Sequence, residues 1–226
     1  RYLPGDSGAS IGGDWYDAVG LRDGRVMLLV GDVVGKGVRA ATAMGVLRQS
    51  VRVLVDVDPS PSAVLDGLER VLEGEDRSFA TVVCLLLDPA AGVVTVARAG
   101  HPPPVLVEAD GRTSLLDDGL SPPLGAGVPA HPQATVPMPA GSVIVLYTDG
   151  VVEDRTGDIE ERLSRLRLHL STAVASGAGL DRLADAVVAS RPATHPDDIA
   201  VLVAKVCPLL SPPAADVRMP VGRRIG

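Results

Sequence analysis

The sequence has few of the features that mark secreted, membrane-spanning or nucleic-acid-binding proteins. Its 226 residues include only two cysteines, Cys84 and Cys207, too few for a disulfide framework or a thiolate zinc site. No run approaches the roughly 20 apolar residues of a membrane span, and the first residues lack the apolar core of a signal peptide. The formal net charge of -7 excludes nonspecific nucleic-acid binding, which needs clustered Lys and Arg. We therefore predict a cytoplasmic protein with neither a membrane nor a nucleic-acid partner.

The composition is that of a globular protein. Hydrophobic residues make up 46% of the chain and charged residues 22%, which is enough apolar material for a sizeable core. We predict one domain over residues 1–206 and a flexible, proline-rich linker or tail over 207–226, since that last segment shows no periodicity. Because the chain starts at Arg1 and reaches its first motif almost at once, we expect further regulatory domains in the full-length protein.

Apolar runs bounded by turn residues predict β-strands at 26–30, 82–87, 93–97, 105–107, 143–147 and 199–206. Helical periodicity predicts helices around 44–55, 64–72 and 180–187. A further helix is predicted after Asp158, which with Glu161 resembles a capping box. Its predicted buried stripe is Ile159, Leu163, Leu166 and Leu170. Strands interrupted by blocks of paired helices predict an α+β fold with segregated layers.

Acidic residues stand at abrupt strand boundaries. Asp32 and Asp149 each follow a predicted strand, whereas Asp197 and Asp198 come just before the last one. If the last strand runs antiparallel to the other two, these carboxylates meet at one sheet edge, where Asp14 could join them. Converging carboxylates repel one another unless a cation compensates, and oxygen ligands of this kind suit magnesium or manganese. The pattern therefore indicates a metal site.

Five motifs occur in one order along the chain: GGDWYD (12–17), GDVVGKG (31–37), AGHPPP (99–104), YTDGVVE (147–153) and DDI (197–199). Together they resemble the SpoIIE/RsbU-type branch of the PP2C-like (PPM) serine/threonine phosphatases. The resemblance covers roughly residues 1–206, and five motifs in register are far more specific than any one of them.

The resemblance implies a PP2C-like sandwich of two antiparallel β-sheets flanked by helices, with a dimetal site at one end. It implies two divalent cations, Mn²⁺ or Mg²⁺, and direct attack on phosphorus by a water that bridges them. Asp32 would bridge both metals. The implied metal ligands are the four catalytic aspartates Asp14, Asp32, Asp149 and Asp197 and the backbone carbonyl of Val33, and the implied outer-shell groups are Asp17 and Asp198.

Two positions bear on the general acid. Val34 stands where eukaryotic relatives carry a His proposed for this role, so protonation of the leaving group is unassigned. His101 could substitute, but in an Ala-Gly-His-Pro-Pro-Pro loop we favour a turn residue that bonds to backbone.

The implied substrate is phosphoserine or phosphothreonine on a phosphorylated anti-sigma-factor antagonist-like protein in a bacterial signalling pathway. Two alternatives stay open. One is a catalytically silent regulatory binding module of the same fold, and the other is a phosphatase for small metabolites. A homodimer also stays open.

Overall fold

The fold is described from a computed structural model over residues 1–4, 12–73, 78–152, 158–191 and 198–207. In these ranges the strands are β1 (Tyr2–Leu3), β2 (Asp14–Gly20), β3 (Val26–Val33), β4 (Ala80–Asp88), β5 (Val93–Ala99), β6 (Val105–Val107), β7 (Thr113–Leu115), β8 (Leu120–Ser121), β9 (Ala134–Pro137), β10 (Val143–Tyr147) and β11 (Ile199–Lys205). The α-helices are α1 (Val38–Val57), α2 (Pro61–Glu73), α3 (Ile159–Ala175) and α4 (Leu180–Ala189), and a 3₁₀ turn spans Asp149–Val151.

The strands form two sheets. One has five strands in the order β1-β11-β10-β6-β7, and all its pairs are antiparallel. The other has the order β2-β3-β4-β5-β8, with β9 also paired to β5. Its pairs are antiparallel except that β8 runs parallel to β5. The predicted sandwich of antiparallel sheets is thus confirmed, with one short parallel pair added.

Successive side chains along a strand project to opposite faces of the sheet. Because both faces of each sheet are covered, residues pointing either way are apolar, which explains the nearly continuous apolar runs. Leu28 and Val30 of β3 face the other sheet, where Ile144 and Leu146 pack in the same cluster. Met27 and Leu29 belong instead to a cluster with α1 and α2. The helices α3 and α4 cover the outer face of the five-stranded sheet. The layers are therefore helices, sheet, sheet and helices, as α+β with segregated layers requires.

The start of α3 agrees only in part with its prediction. Asp158 is the N-cap, and its carboxylate accepts the backbone N–H of Glu160 at 2.9 Å. Leu166 and Leu170 are fully buried, but Ile159 is 43% exposed, so its predicted place in the buried stripe is wrong. As the first residue of the helix, Ile159 lies at the end of the stripe, beyond the sheet that covers the later turns.

No helix in the described ranges is both long enough and apolar enough to cross a lipid bilayer. The predicted tail lies, apart from the exposed Cys207, outside the described residues.

Candidate metal centre

Two carboxylates face each other across neighbouring strands. Asp14, the first residue of β2, lies directly opposite Asp32 of β3. Opposed residues project from the same face of an antiparallel pair, and these two carboxyl groups are within hydrogen-bonding reach of each other. Asp14 is only 7% exposed. The sheet therefore brings together two of the predicted ligands.

Thr148 connects this pair to the other sheet. Its hydroxyl donates to Asp14 Oδ2 at 2.7 Å and accepts the backbone N–H of Ala200 at 2.9 Å. The backbone N–H of Thr148 in turn donates to the Ala200 carbonyl at 3.0 Å. Asp14 is thus oriented by a fully buried residue that directly precedes Asp149.

Gly13 leaves room for the groups around Asp32. A Cβ atom on Gly13 would lie 2.2 Å from the carbonyl oxygen of Val33 and 2.8 Å from Asp32 Oδ1. Any side chain here would displace both, whereas glycine lets the backbone approach closely. The Val33 carbonyl, a predicted ligand, therefore lies beside the Asp32 carboxylate.

The other acidic residues come from the five-stranded sheet. Asp149 begins the 3₁₀ turn after β10, and Asp198 precedes β11, which runs antiparallel to β10. A Cβ on Gly150 would lie 2.7 Å from the Asp198 carbonyl oxygen, so the two segments are in contact. Antiparallel pairing of the last strand is confirmed. The expectation of one sheet edge is wrong, because Asp14 and Asp32 lie in the opposite sheet and the cluster spans the gap between the two.

Burial and mutual repulsion dominate the electrostatics of this cluster. Burial first, and then the charge on Asp32, raises the pKa of Asp14 far above the usual carboxyl range, and Asp149 adds to the effect. Burial also raises the pKa of Tyr2 to about 12, with contributions from Asp198, Asp14 and Asp32. A divalent cation would offset both the desolvation and the repulsion, so these oxygen donors fit a hard metal ion.

The described residues supply only part of a metal site. Among them no group of three or more His, Cys, Asp or Glu side chains is arranged to hold an ion. The fourth predicted aspartate, Asp197, lies outside the described residues. Its place as a ligand therefore stays a prediction.

Asp17 lies away from this cluster. It is three positions after Asp14 on β2, so it projects from the opposite face, toward α1. Its carboxylate accepts from Arg52 at 3.1 and 3.2 Å and lies 3.5 Å from Arg48. These contacts make Asp17 an anchor for α1 and do not support its predicted outer-shell place. The Asp198 carboxylate lies against Gly12, where a Cβ would overlap it, and its outer-shell place stays a prediction.

His101 bonds within the protein, as favoured from the sequence. It is 2% exposed, with Nε2 3.1 Å from the Tyr147 carbonyl and Nδ1 2.9 Å from the Thr81 hydroxyl. A carbonyl only accepts, so Nε2 carries the proton and Nδ1 accepts from Thr81. Burial lowers the pKa of His101 to about 3. The ring is a neutral bridge between the sheets and is not placed as a general acid.

Comparison with known proteins decides the family. The profile described as Stage II sporulation protein E (SpoIIE) matches residues 22–207. The chain belongs to the SpoIIE family. Among SpoIIE-type relatives, the phosphoserine phosphatase RsbU of Bacillus subtilis (strain 168) is 31% identical over 147 residues, which are 64% of this chain and 44% of RsbU. The chain spans between 30% and 44% of the length of three curated relatives that it matches.

Solved structures place the SpoIIE-family chain in the PP2C fold. The RsbU and RsbW domains of Rv1364c from Mycobacterium tuberculosis match with a TM-score of 0.80 and 31% identity, over 92% of this chain and 60% of that one. The catalytic domain of PstP in complex with two manganese ions matches with a TM-score of 0.59 and 20% identity, over 92% and 96% of the two chains. The second likeness shows the fold alone. The predicted family and fold are both confirmed.

Thr148 is the residue of the SpoIIE-type site that the sequence reasoning missed. It stands inside a recognised motif, but the pattern gives a hydroxyl between a strand and an aspartate no specific role. The signal that could have revealed it is its position between the end of a predicted strand and Asp149, because a hydroxyl group there lies next to the predicted ligands. Only the packing of the two sheets makes its contact with Asp14 visible.

Proposed function

We propose that this chain is a metal-dependent protein serine/threonine phosphatase. The observation that carries the proposal is the buried carboxyl group of Asp14 opposite Asp32, because its desolvation and the repulsion between the two call for a cation. Two further observations support it. The family includes a phosphoserine phosphatase, RsbU, and a protein of the same fold, PstP, binds two manganese ions.

The residues that would hold two divalent cations, Mn²⁺ or Mg²⁺, are Asp14, Asp32, Asp149, Asp197 and the carbonyl of Val33. When bound, such ions lower the pKa of a coordinated water and so supply hydroxide at neutral pH. The chain itself contributes orientation. Thr148 fixes one oxygen of Asp14, and the close approach at Gly13 fixes Asp32 beside the Val33 carbonyl. Preorganised carboxylates of this kind hold a metal without rearrangement during the reaction.

For the substrate, we propose phosphoserine or phosphothreonine on a bacterial signalling protein of the anti-sigma-factor-antagonist type. The likeness to RsbU, and to a solved structure that contains RsbU and RsbW domains, supports this class of partner. No residue in the described ranges is assigned as the general acid, since His101 is tied to Thr81 and Tyr147.

The test is turnover of a phosphoserine protein by wild type, Asp32→Asn and Asp149→Asn, with bound metal measured by elemental analysis. Each variant should lose activity by orders of magnitude and keep its fold, because it removes a ligand together with a source of repulsion. Asp56→Asn, on the exposed face of α1, is the matched control and should keep full activity. Full activity in either site variant, or in wild type stripped by a chelator, contradicts the proposal. Metal binding and substrate binding without any turnover would indicate a silent binding module.

A further inference from the structure

A cavity of about 600 Å³ lies beside Asp149. Asp149 and Gly100 are part of its wall. Arg98 and His101 also line it, and its apolar lining includes Leu120 and Ile159. A concave, mostly apolar surface of this size next to reactive groups is typical of a substrate subsite.

Two large apolar side chains in this wall are exposed although the chain has a well-filled core. Leu120 of β8 is 55% exposed, and Ile159 at the start of α3 is 43% exposed. They are 39 positions apart and come from elements that pack on different sheets. Exposed apolar residues that gather at a concave site, rather than scattering singly, indicate a surface that a partner covers.

The polar groups in the wall already have partners inside the protein. Arg98 donates to the carbonyls of His101, Asp117 and Asp118, and its own carbonyl accepts from the Ser121 hydroxyl. His101 is bonded to Thr81 and Tyr147. These bonds fix the walls of the cavity. Among the described lining residues, the Arg98 guanidinium is thus engaged with backbone carbonyls, and the exposed part of the wall offers mainly apolar contact.

We propose that this cavity binds an apolar side chain adjacent to the phosphorylated residue of the protein substrate, with Leu120 and Ile159 as specificity-determining contacts. The inference rests on the proposed function. Asp149 is both a proposed metal ligand and a part of the cavity wall. If the phosphoryl group binds at the proposed metal site, a residue next to the phosphoserine would lie at the mouth of this cavity.

The test uses two phosphoserine peptides that differ only in the residues flanking the phosphoserine, Leu in one and Asp in the other. With Mn²⁺, wild type should show at least tenfold higher kcat/KM for the Leu peptide, mainly through KM. Leu120→Asp and Ile159→Asp should each remove most of this preference. Both should bind Mn²⁺ with the affinity of wild type in a calorimetric titration, because neither side chain is a proposed metal ligand.

Leu168→Asp is the matched control, since Leu168 is 65% exposed on α3 and does not line the cavity. It should keep the preference, as should the conservative variant Leu120→Met. Equal kcat/KM for the two peptides in wild type, or an unchanged preference in both Asp variants, overturns the inference.

Peptide affinities measured in parallel separate the cavity proposal from the proposed phosphatase function. Absence of turnover in wild type contradicts the phosphatase function, whereas a tenfold difference in Kd that depends on Leu120 still supports the cavity.

Discussion

Thr148→Val tests whether one hydroxyl group joins the two sheets at the candidate metal centre. The side chain is fully buried, and it bonds to Asp14 Oδ2 at 2.7 Å and to the Ala200 N–H at 2.9 Å. Val has nearly the shape of Thr. The substitution therefore removes the hydroxyl group without opening a cavity, so that any loss reports on these two hydrogen bonds.

The expected loss follows from the two partners that remain. Because the raised pKa of Asp14 keeps its carboxyl group largely neutral without metal, its hydrogen bond contributes about 0.5–1.5 kcal/mol, and a buried N–H left without an acceptor costs about 1–3 kcal/mol. Because both bonds share one hydroxyl group, the effects are coupled and do not simply add. We expect the free energy of unfolding to fall by about 2–4 kcal/mol. For a domain of this size that corresponds to a drop in Tm of about 5–15 °C.

The assay is thermal unfolding of wild type, Thr148→Val and Thr148→Ser, each in chelator and in Mn²⁺. Thr148→Ser keeps the hydroxyl group and loses one methyl group, so its free energy of unfolding should fall by only about 1 kcal/mol. The Val variant should also need more manganese for half-maximal activity, since Asp14 loses the donor that orients it. The reasoning would be refuted if the Val variant melted within about 2 °C of wild type. It would also be refuted if the Ser variant were no more stable than the Val variant.

Three further predictions concern other parts of the chain. The His101 ring should show no protonation by NMR between pH 5 and 8, because burial lowers its pKa to about 3. As that value lies below the unfolded one, about 6.5, the ring contributes stability that is full above pH 6.5 and is lost toward pH 3; titration near 6.5 would contradict this. Removal of residues 207–226 should lower Tm by less than about 2 °C, because such a segment buries little apolar surface, and a loss of several degrees would show that it packs on the core. Arg48→Ala should change the manganese dependence of turnover more than Tm, since its 3.5 Å ion pair with Asp17 is half exposed and contributes little stability, whereas α1 closely follows Asp32. Activity that merely follows Tm would leave α1 an ordinary core helix.

The sequence was informative where one physical signal dominates. Strands buried on both faces need unbroken apolar runs, so their positions could be read directly. Asp149 and Asp198 flank strands as predicted, whereas Asp32 lies inside β3, which continues to Val33 beyond the predicted end at residue 30. The outer-shell place of Asp17 stays a prediction, and the strand pattern already weighs against it, because residues three apart on a strand face opposite ways and Asp14 and Asp17 are such a pair.

Other features depend on contacts between segments far apart in the chain. The exposure of Ile159 depends on where the five-stranded sheet ends. Helical periodicity gives no information about that. The short parallel strand at Leu120 follows from the path of a loop that returns beside β5. The role of Thr148 needs the distance between two sheets. Local patterns identify elements, and the packing of those elements decides which side chains meet.

The bond between Thr148 and Asp14 also has a consequence for how the protein folds. The two residues are 134 positions apart, and β1 at the start of the chain pairs with β11 near its end. Contacts of such long sequence separation form late, because loop-closure entropy opposes them until most of the chain is in place. A nascent chain emerging from the ribosome therefore cannot assemble the centre until β11 has been synthesised. Any fragment that ends before β11 should be unable to bind metal at this centre, however well its first sheet has formed.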